Sequence, residues 1–347
     1  MDAERAMLRF VSTSHGTTVA GHICSECVYN KGKYASFGEH PEICIFDKTD
    51  ACSAKTPYFF FRIRNERSVA LFSKGRIPFD CSKTDTELLK ILKKELVLAL
   101  KLLQSFENSV LCAKYGTTDE AKNYFDVENV LFYNVGTSIF NSLTQQGVKF
   151  SHISSFEIAK LQKQWNIPEE YSHYYEYTLH SKPLLPPQMK NPLAEWDNIR
   201  FCKCVGLTPL MVWKTIKDEA VNIQIYDKIN CDYGDNFSLF LEIEKPKQVK
   251  FSIMTAMKPL LDGLICAFHN SDFEESEVDY FSQKLKCNRD KIKSKELNIL
   301  GERKSKYIQI YRNNVKWNPA DDMCQHVTIS IKEGNLWKLS GKIYSYD

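Results

Sequence analysis

Residues 57–72 read PYFFFRIRNERSVALF. Tyr58, Phe59, Phe60 and Phe61 are aromatic and strand-prone, Arg64-Asn65-Glu66-Arg67 has the composition of a turn, and 68–72 returns to apolar residues. The stretch predicts a β-hairpin. The period then changes. Leu88, Leu89, Leu92, Leu96, Ala99, Leu103 and Phe106 recur at helical spacing, Thr84 or Asp85 can cap the helix, and Glu87 stands where a capping-box acid would. Two strands followed by an amphipathic helix mark a mixed fold, and the rest of the chain continues the mixture.

Working outward, 130–135 reads as a buried strand, 148–153 as another and 155–165 as a short helix. Tyr171, Tyr174, Tyr175 and Tyr177, with His173 and His180, read as alternation along a half-buried strand. Pro183, Pro186, Pro187 and Pro192 exclude regular structure between Lys182 and Trp196. Beyond them come strand-like runs at 221–229, 237–243 and 249–254, a helix opened by Pro259, a charged helix from 274 to about 286, and terminal strands near Tyr307, Val327 and Trp337. The expected class is α+β in two lobes, each with largely antiparallel strands packed on helices. The N-terminal lobe with its Cys-rich start spans 1–181, a Pro-rich crossing 182–197, and the C-terminal lobe 198–347.

Composition bounds the function. The chain has 347 residues, which at roughly 150 per domain suggests about two domains. Its 46 basic and 43 acidic residues leave a net charge of +3, too small for a broad polyanion-binding surface or a polybasic membrane anchor. No export signal and no membrane-length apolar run is evident, so a cytoplasmic protein without a membrane partner is expected, its 12 cysteines reduced. No internal repeat, P-loop, dinucleotide fingerprint, Gly-x-Ser-x-Gly elbow or HExxH is present. The commonest nucleotide-dependent and hydrolytic classes therefore lose ground, and no nucleotide cofactor is expected.

Three groups of residues carry candidate chemistry. Cys24-x-x-Cys27 has the spacing of a zinc knuckle, with His40 and Cys44 able to complete a structural site and His22 and Cys52 nearby. A tight second knuckle is missing, because seven residues lie between Cys44 and Cys52. In the second group Asp262, Cys266 and His269 share one edge of the helix after Pro259, where acid and imidazole can serve a metal or move protons, or simply complement the helix dipole. The third, Trp317-Asn318-Pro319-Ala320-Asp321-Asp322, leads into a strand that begins with His326. Paired acids there suit Mg²⁺ or Mn²⁺, which take oxygen ligands, and Asn-Pro-x-Asp is also good turn chemistry.

Taken together, Asp262, Asp321 and Asp322 are the expected ligands of Mg²⁺ or Mn²⁺, with Glu242 and Glu244 on a nearby strand. His326 and His269 would transfer protons, Lys258 and Arg312 would bind a phosphate, and Trp317 would stack on a base or sugar. Lys258-Pro259-x-x-Asp262-Gly263 is similar, over barely a dozen residues, to the acidic helix-start segment of RusA-type Holliday-junction resolvases. Leu260 stands at that pattern's first acid and Gly263 replaces its Asn, so no family assignment is carried over.

Two functions follow as expectations. One is metal-dependent phosphodiester hydrolysis, on nucleic acid, in the C-terminal lobe. The other is a non-catalytic intracellular protein whose N-terminal cysteines, exposed aromatics and basic stretch at 284–306 meet an acidic protein or nucleic-acid partner. The sequence carries no indication of oligomeric state. Convergence of Asp262 with Asp321 and Asp322 separates the two functions, because ligands of one cation must lie about 2.0–2.6 Å from a common point.

Overall fold

The computed structural model describes residues 58–78, 87–118, 126–181, 191–201, 206–302 and 306–346. The zinc candidates Cys24, Cys27, His40 and Cys44, and the helix caps Thr84 and Asp85, lie outside them. Helices and strands are mixed in an α+β arrangement. The strands are β1 (Phe59–Arg64), β2 (Ser68–Ser73), β3 (Ser109–Thr117), β4 (Gly147–Ile153), β5 (His173–Ser181), β6 (Pro192–Arg200), β7 (Ile223–Ile225), β8 (Asn236–Pro246), β9 (Ile308–Tyr311), β10 (Asn314–Trp317), β11 (Cys324–Gly334) and β12 (Lys338–Tyr346). The helices are α1 (Glu87–Leu100), α2 (Ser155–Trp165), α3 (Pro209–Asp218), α4 (Ile253–Ala267), α5 (Glu275–Leu285) and α6 (Arg289–Lys293).

These elements form two compact units. The first contains the described residues up to 118, Val127–Leu143 and Ser151–His180; the second contains Asp126, Thr144–Phe150 and the described residues from Ser181 onward. The division is more than one cut, because the 144–150 segment joins the later chain.

In the first unit the strand order is β1-β2-β5-β3. β1 and β2 form the expected antiparallel hairpin, with Phe60 opposite Phe72 and Phe61 opposite Leu71. The Asn65 side chain closes its turn by accepting from the Arg67 and Ser68 amides at 2.9 and 2.8 Å. Leu92, Leu96 and Ala99 of α1 are buried, as their spacing requires. α2 starts where Ser154 and Glu157 close a capping box, and it stops at left-handed Asn166.

Two expectations fail in this unit. Residues 130–135 are not a strand: Asn129–Tyr133 is a turn of π-helix in which Val130, Leu131 and Phe132 are all buried. A short continuous apolar run suits a helix as well as a strand, and periodicity cannot separate them. The tyrosines of 171–177 are fully buried rather than half-buried. Burial is sustained by paired hydroxyls, since Tyr175 accepts from the Ile77 amide at 2.9 Å and Tyr177 donates to the Leu131 carbonyl at 2.8 Å.

In the second unit the order is β4-β11-β8-β12-β6-β7, taking β4 through Phe150. β8 pairs in parallel with β11 and antiparallel with β12, so the sheet is mixed. Regular structure begins inside the expected Pro-rich crossing, because Pro192 is the first residue of β6, a place that does not need its missing amide hydrogen. Of the expected strand at 221–229 only Ile223–Ile225 forms, and the one expected at 249–254 does not form. Instead Ile253 and Met254 open α4, which places Pro259 inside the helix rather than at its start.

α4 tolerates that proline because the helix is held from nearly all sides. Met254, Met257, Leu260, Leu261, Leu264 and Ile265 are buried, each large apolar side chain contributing about 1.5–3 kcal/mol on leaving water. Pro259 cannot bond the Thr255 carbonyl four residues back, but Thr255 is exposed, where water can substitute. At Gly263 a Cβ would meet the Pro209 carbonyl oxygen at 2.4 Å, so the glycine admits the start of α3 against α4. The helix core thus leaves one solvent-facing stripe containing Thr255, Lys258, Pro259 and Asp262. That stripe holds the candidate site.

Candidate functional site

Lys258 stands on this stripe with its ammonium among three carboxylates. Nζ lies 2.7 Å from Asp321 Oδ2, 3.1 Å from Asp126 Oδ2 and 3.3 Å from Asp262 Oδ1. Asp262 is one helical turn beyond Lys258. Its Oδ1 is buried, and the contact is an ion pair between residues four apart on one helix. Asp321 is delivered by the short 3-10 turn Asp321–Met323, anchored by fully buried Ala320. Asp126 comes from a third part of the chain. One oxygen of Asp126 and one of Asp321 lie within 4.8 Å of each other. The 2.7 Å contact is a charge-assisted hydrogen bond, the strongest of the three on distance.

The Lys258 side chain is 27% exposed, and those of Asp262 and Asp321 are 15% and 11% exposed. Burial raises the Asp262 carboxyl above its ordinary range; Lys258 pulls it back down, and neighbouring Asp126 pushes it up.

Asp262 and Asp321 both reach Lys258 Nζ, as does Asp126, which the sequence did not single out. Asp322, next in the same turn, is half-buried. Lys258, expected to bind a phosphate, instead pairs with the acids. His326 is buried on β11, its Nε2 3.1 Å from the Thr328 hydroxyl; burial first, and Lys149 second, lower its pKa to about 4, so it is neutral at pH 7. His269 follows the end of α4 and donates from Nδ1 to the Gly301 carbonyl at 3.3 Å. Trp317 packs against Trp213 with ring centroids 6.1 Å apart, and the Arg312 guanidinium lies 5.1 Å over the Tyr311 ring. Glu242 and Glu244 pair with Lys332 and Lys338 across the sheet.

Asp126 carries a weak signal in sequence. Asp126-x-Glu128 sets two acids just before an apolar run, and Glu128 is buried. Nothing in that pattern names partners more than a hundred residues away.

The chain matches no protein family, no curated protein and no solved structure with which it was compared. Among the described residues no helix is long and apolar enough to cross a membrane.

Proposed function

We propose that the second unit hydrolyses phosphodiesters with a divalent cation, Mg²⁺ or Mn²⁺, held by Asp126, Asp262 and Asp321. The observation that supports this reading is their convergence: three acids remote in sequence each place an oxygen within 3.3 Å of one nitrogen. Hard cations of this kind take carboxylate oxygens, and a mononuclear site commonly leaves positions for water and a phosphoryl oxygen.

Asp126, Asp262 and Asp321 would hold the cation, which would supply Lewis-acid polarisation of the phosphoryl group and of a water. Lys258, released from the acids, pairs with the substrate's phosphate charge. The attacking water would lose its proton to solvent water, Asp262 serving as a ligand. The new O–P bond forms as the ester oxygen leaves and takes up a proton, consuming one water.

Manganese titration of the full chain by calorimetry, alongside hydrolysis of bis(p-nitrophenyl) phosphate, tests the reading. Saturable Mn²⁺ binding is expected, weakened at least tenfold, about 1.4 kcal/mol, by Asp321→Asn, with hydrolysis lost in the same variant. A wild-type chain that binds no Mn²⁺ or Mg²⁺ would reduce the cluster to an ion-pair clamp and favour the non-catalytic interaction protein.

A further inference from the structure

We infer that the β9–β10 hairpin is a docking arm for double-stranded DNA, which rests on the phosphodiester reading of the Lys258 cluster and names its substrate class. The first observation is compositional. From Arg303 to Ala320 the sequence has five basic residues, Arg303, Lys304, Lys306, Arg312 and Lys316, and no acidic one, in a chain whose charges otherwise nearly cancel.

The second is electrostatic. Many cations of this unit meet acids: Lys291 pairs with Asp218, Arg289 and Lys293 with Glu275, Lys306 with Glu277, Lys332 with Glu242 and Lys342 with Glu195. Within the basic stretch at 284–306, Arg289, Lys291, Lys293, Lys295 and Lys306 are paired with acids in this way. Among the described residues Arg312 and Lys316 have no carboxylate partner. Both lie over the same ring, that of Tyr311, at 5.1 and 6.0 Å.

The third is conformational. β9 and β10 form their own two-stranded antiparallel sheet, with Tyr311 opposite Asn314. The two turn residues between them are left-handed, Arg312 at φ 47° and Asn313 at φ 60°. Such turns match the twist of a hairpin and usually recruit Gly or Asn. An arginine there carries a cost of about 1 kcal/mol, and it stands at the exposed tip. Ile310 and Tyr311 beside it are 46% and 52% exposed. A strained cation flanked by exposed apolar side chains is poorly explained by stability alone.

A two-stranded ribbon fits the B-DNA major groove, about 12 Å wide. Arg312 and Lys316 would meet phosphates, and Tyr311 and Ile310 would lie against bases and sugars. The arm is also coupled to the cluster through the chain: Trp317, held by Trp213, is followed by Asn318-Pro319-Ala320 and then Asp321.

Fluorescence anisotropy of the full chain with a labelled duplex of about 20 base pairs, across a series of NaCl concentrations, tests the assignment. Wild type should bind with an affinity that falls as salt rises. The Arg312→Asn/Lys316→Gln variant should bind about tenfold more weakly near 0.1 M salt, with a log–log salt slope shallower by about 1.8, as expected for two lost phosphate contacts. Arg312→Gly, which relieves the φ strain, should show part of the loss in a fully folded chain. Lys293→Gln/Lys295→Gln, in the acid-paired stretch, should bind as wild type does. No duplex binding by wild type, unchanged affinity and slope in the hairpin variant, equal loss in the Lys293/Lys295 control, or tighter binding to single strands would each overturn it. Mn²⁺ titration of the wild type beside its duplex titration keeps the two proposals apart. Metal binding without duplex binding removes the arm alone, and duplex binding without metal binding removes the hydrolytic reading and leaves the arm.

Discussion

Lys258 and Arg312 both look like phosphate ligands in the sequence, yet the fold gives them opposite surroundings. Lys258 lies among Asp126, Asp262 and Asp321, one cation among three acids, whereas Arg312 shares the face of Tyr311 with a second cation, Lys316. What a basic residue can bind is set by the acids that the fold places around it. The Lys258 cluster presents three carboxyl groups around an ammonium; the hairpin presents two cations on one ring.

The largest expected effect comes from breaking the cluster. Lys258→Met leaves three carboxylates without their ammonium, and urea denaturation at pH 7 should show a loss of about 2 kcal/mol, below the 3–5 kcal/mol of a fully buried broken pair because the site is partly exposed. The loss should shrink as pH falls and the carboxyls protonate. Under the cation reading, added Mn²⁺ should restore part of it by binding the folded state.

Lys217 sharpens the contrast as a cation in neither setting. It is buried on α3, donates to the Ser294 carbonyl at 3.3 Å, and burial lowers its pKa to about 8, with Glu296 partly opposing. Between pH 8 and 10.5 the unfolded chain holds the proton that the folded chain has lost, so this lysine's cost to stability fades as pH rises through that window. Lys217→Met should therefore stabilise the protein by about 1–2 kcal/mol at pH 7, and by less at pH 10, as read from denaturant midpoints.

His326 gives a smaller effect at the acid end. Its pKa near 4 means that only the unfolded chain takes up its proton between pH 6.5 and 4, so stability drops as pH falls through that range. His326→Gln should flatten the pH dependence of stability there by no more than one proton. The smallest effect is expected at the hairpin tip, where Arg312→Gly should raise stability by about 0.5 kcal/mol, the relieved φ outweighing the added chain entropy of glycine.

Local chemistry was readable in sequence and long-range partnership was not. The 57–72 hairpin shows itself because aromatic strands flank a polar turn, and α2 because Ser154 and Glu157 form a capping box at its start. Pro259 misled because the preference of proline for a first helical turn is statistical, while the apolar residues before it, Ile253, Met254, Ala256 and Met257, extend the helix into the core. Residues 130–135 misled because Val130, Leu131 and Phe132 are buried without a period. Asp262 and Asp321 were legible as acids at helix and turn positions. Asp126 was not, because its meaning comes from Lys258, which the fold alone brings to it.

The convergence of Asp126, Asp262 and Asp321 as a cation site is tested most directly by calorimetric titration of the wild-type chain and the Asp321→Asn variant with Mn²⁺ at pH 7. The proposal predicts one saturable site per chain in the wild type and at least tenfold weaker binding in the variant. Heat indistinguishable from dilution in the wild type, or equal affinity in the two proteins, would contradict it.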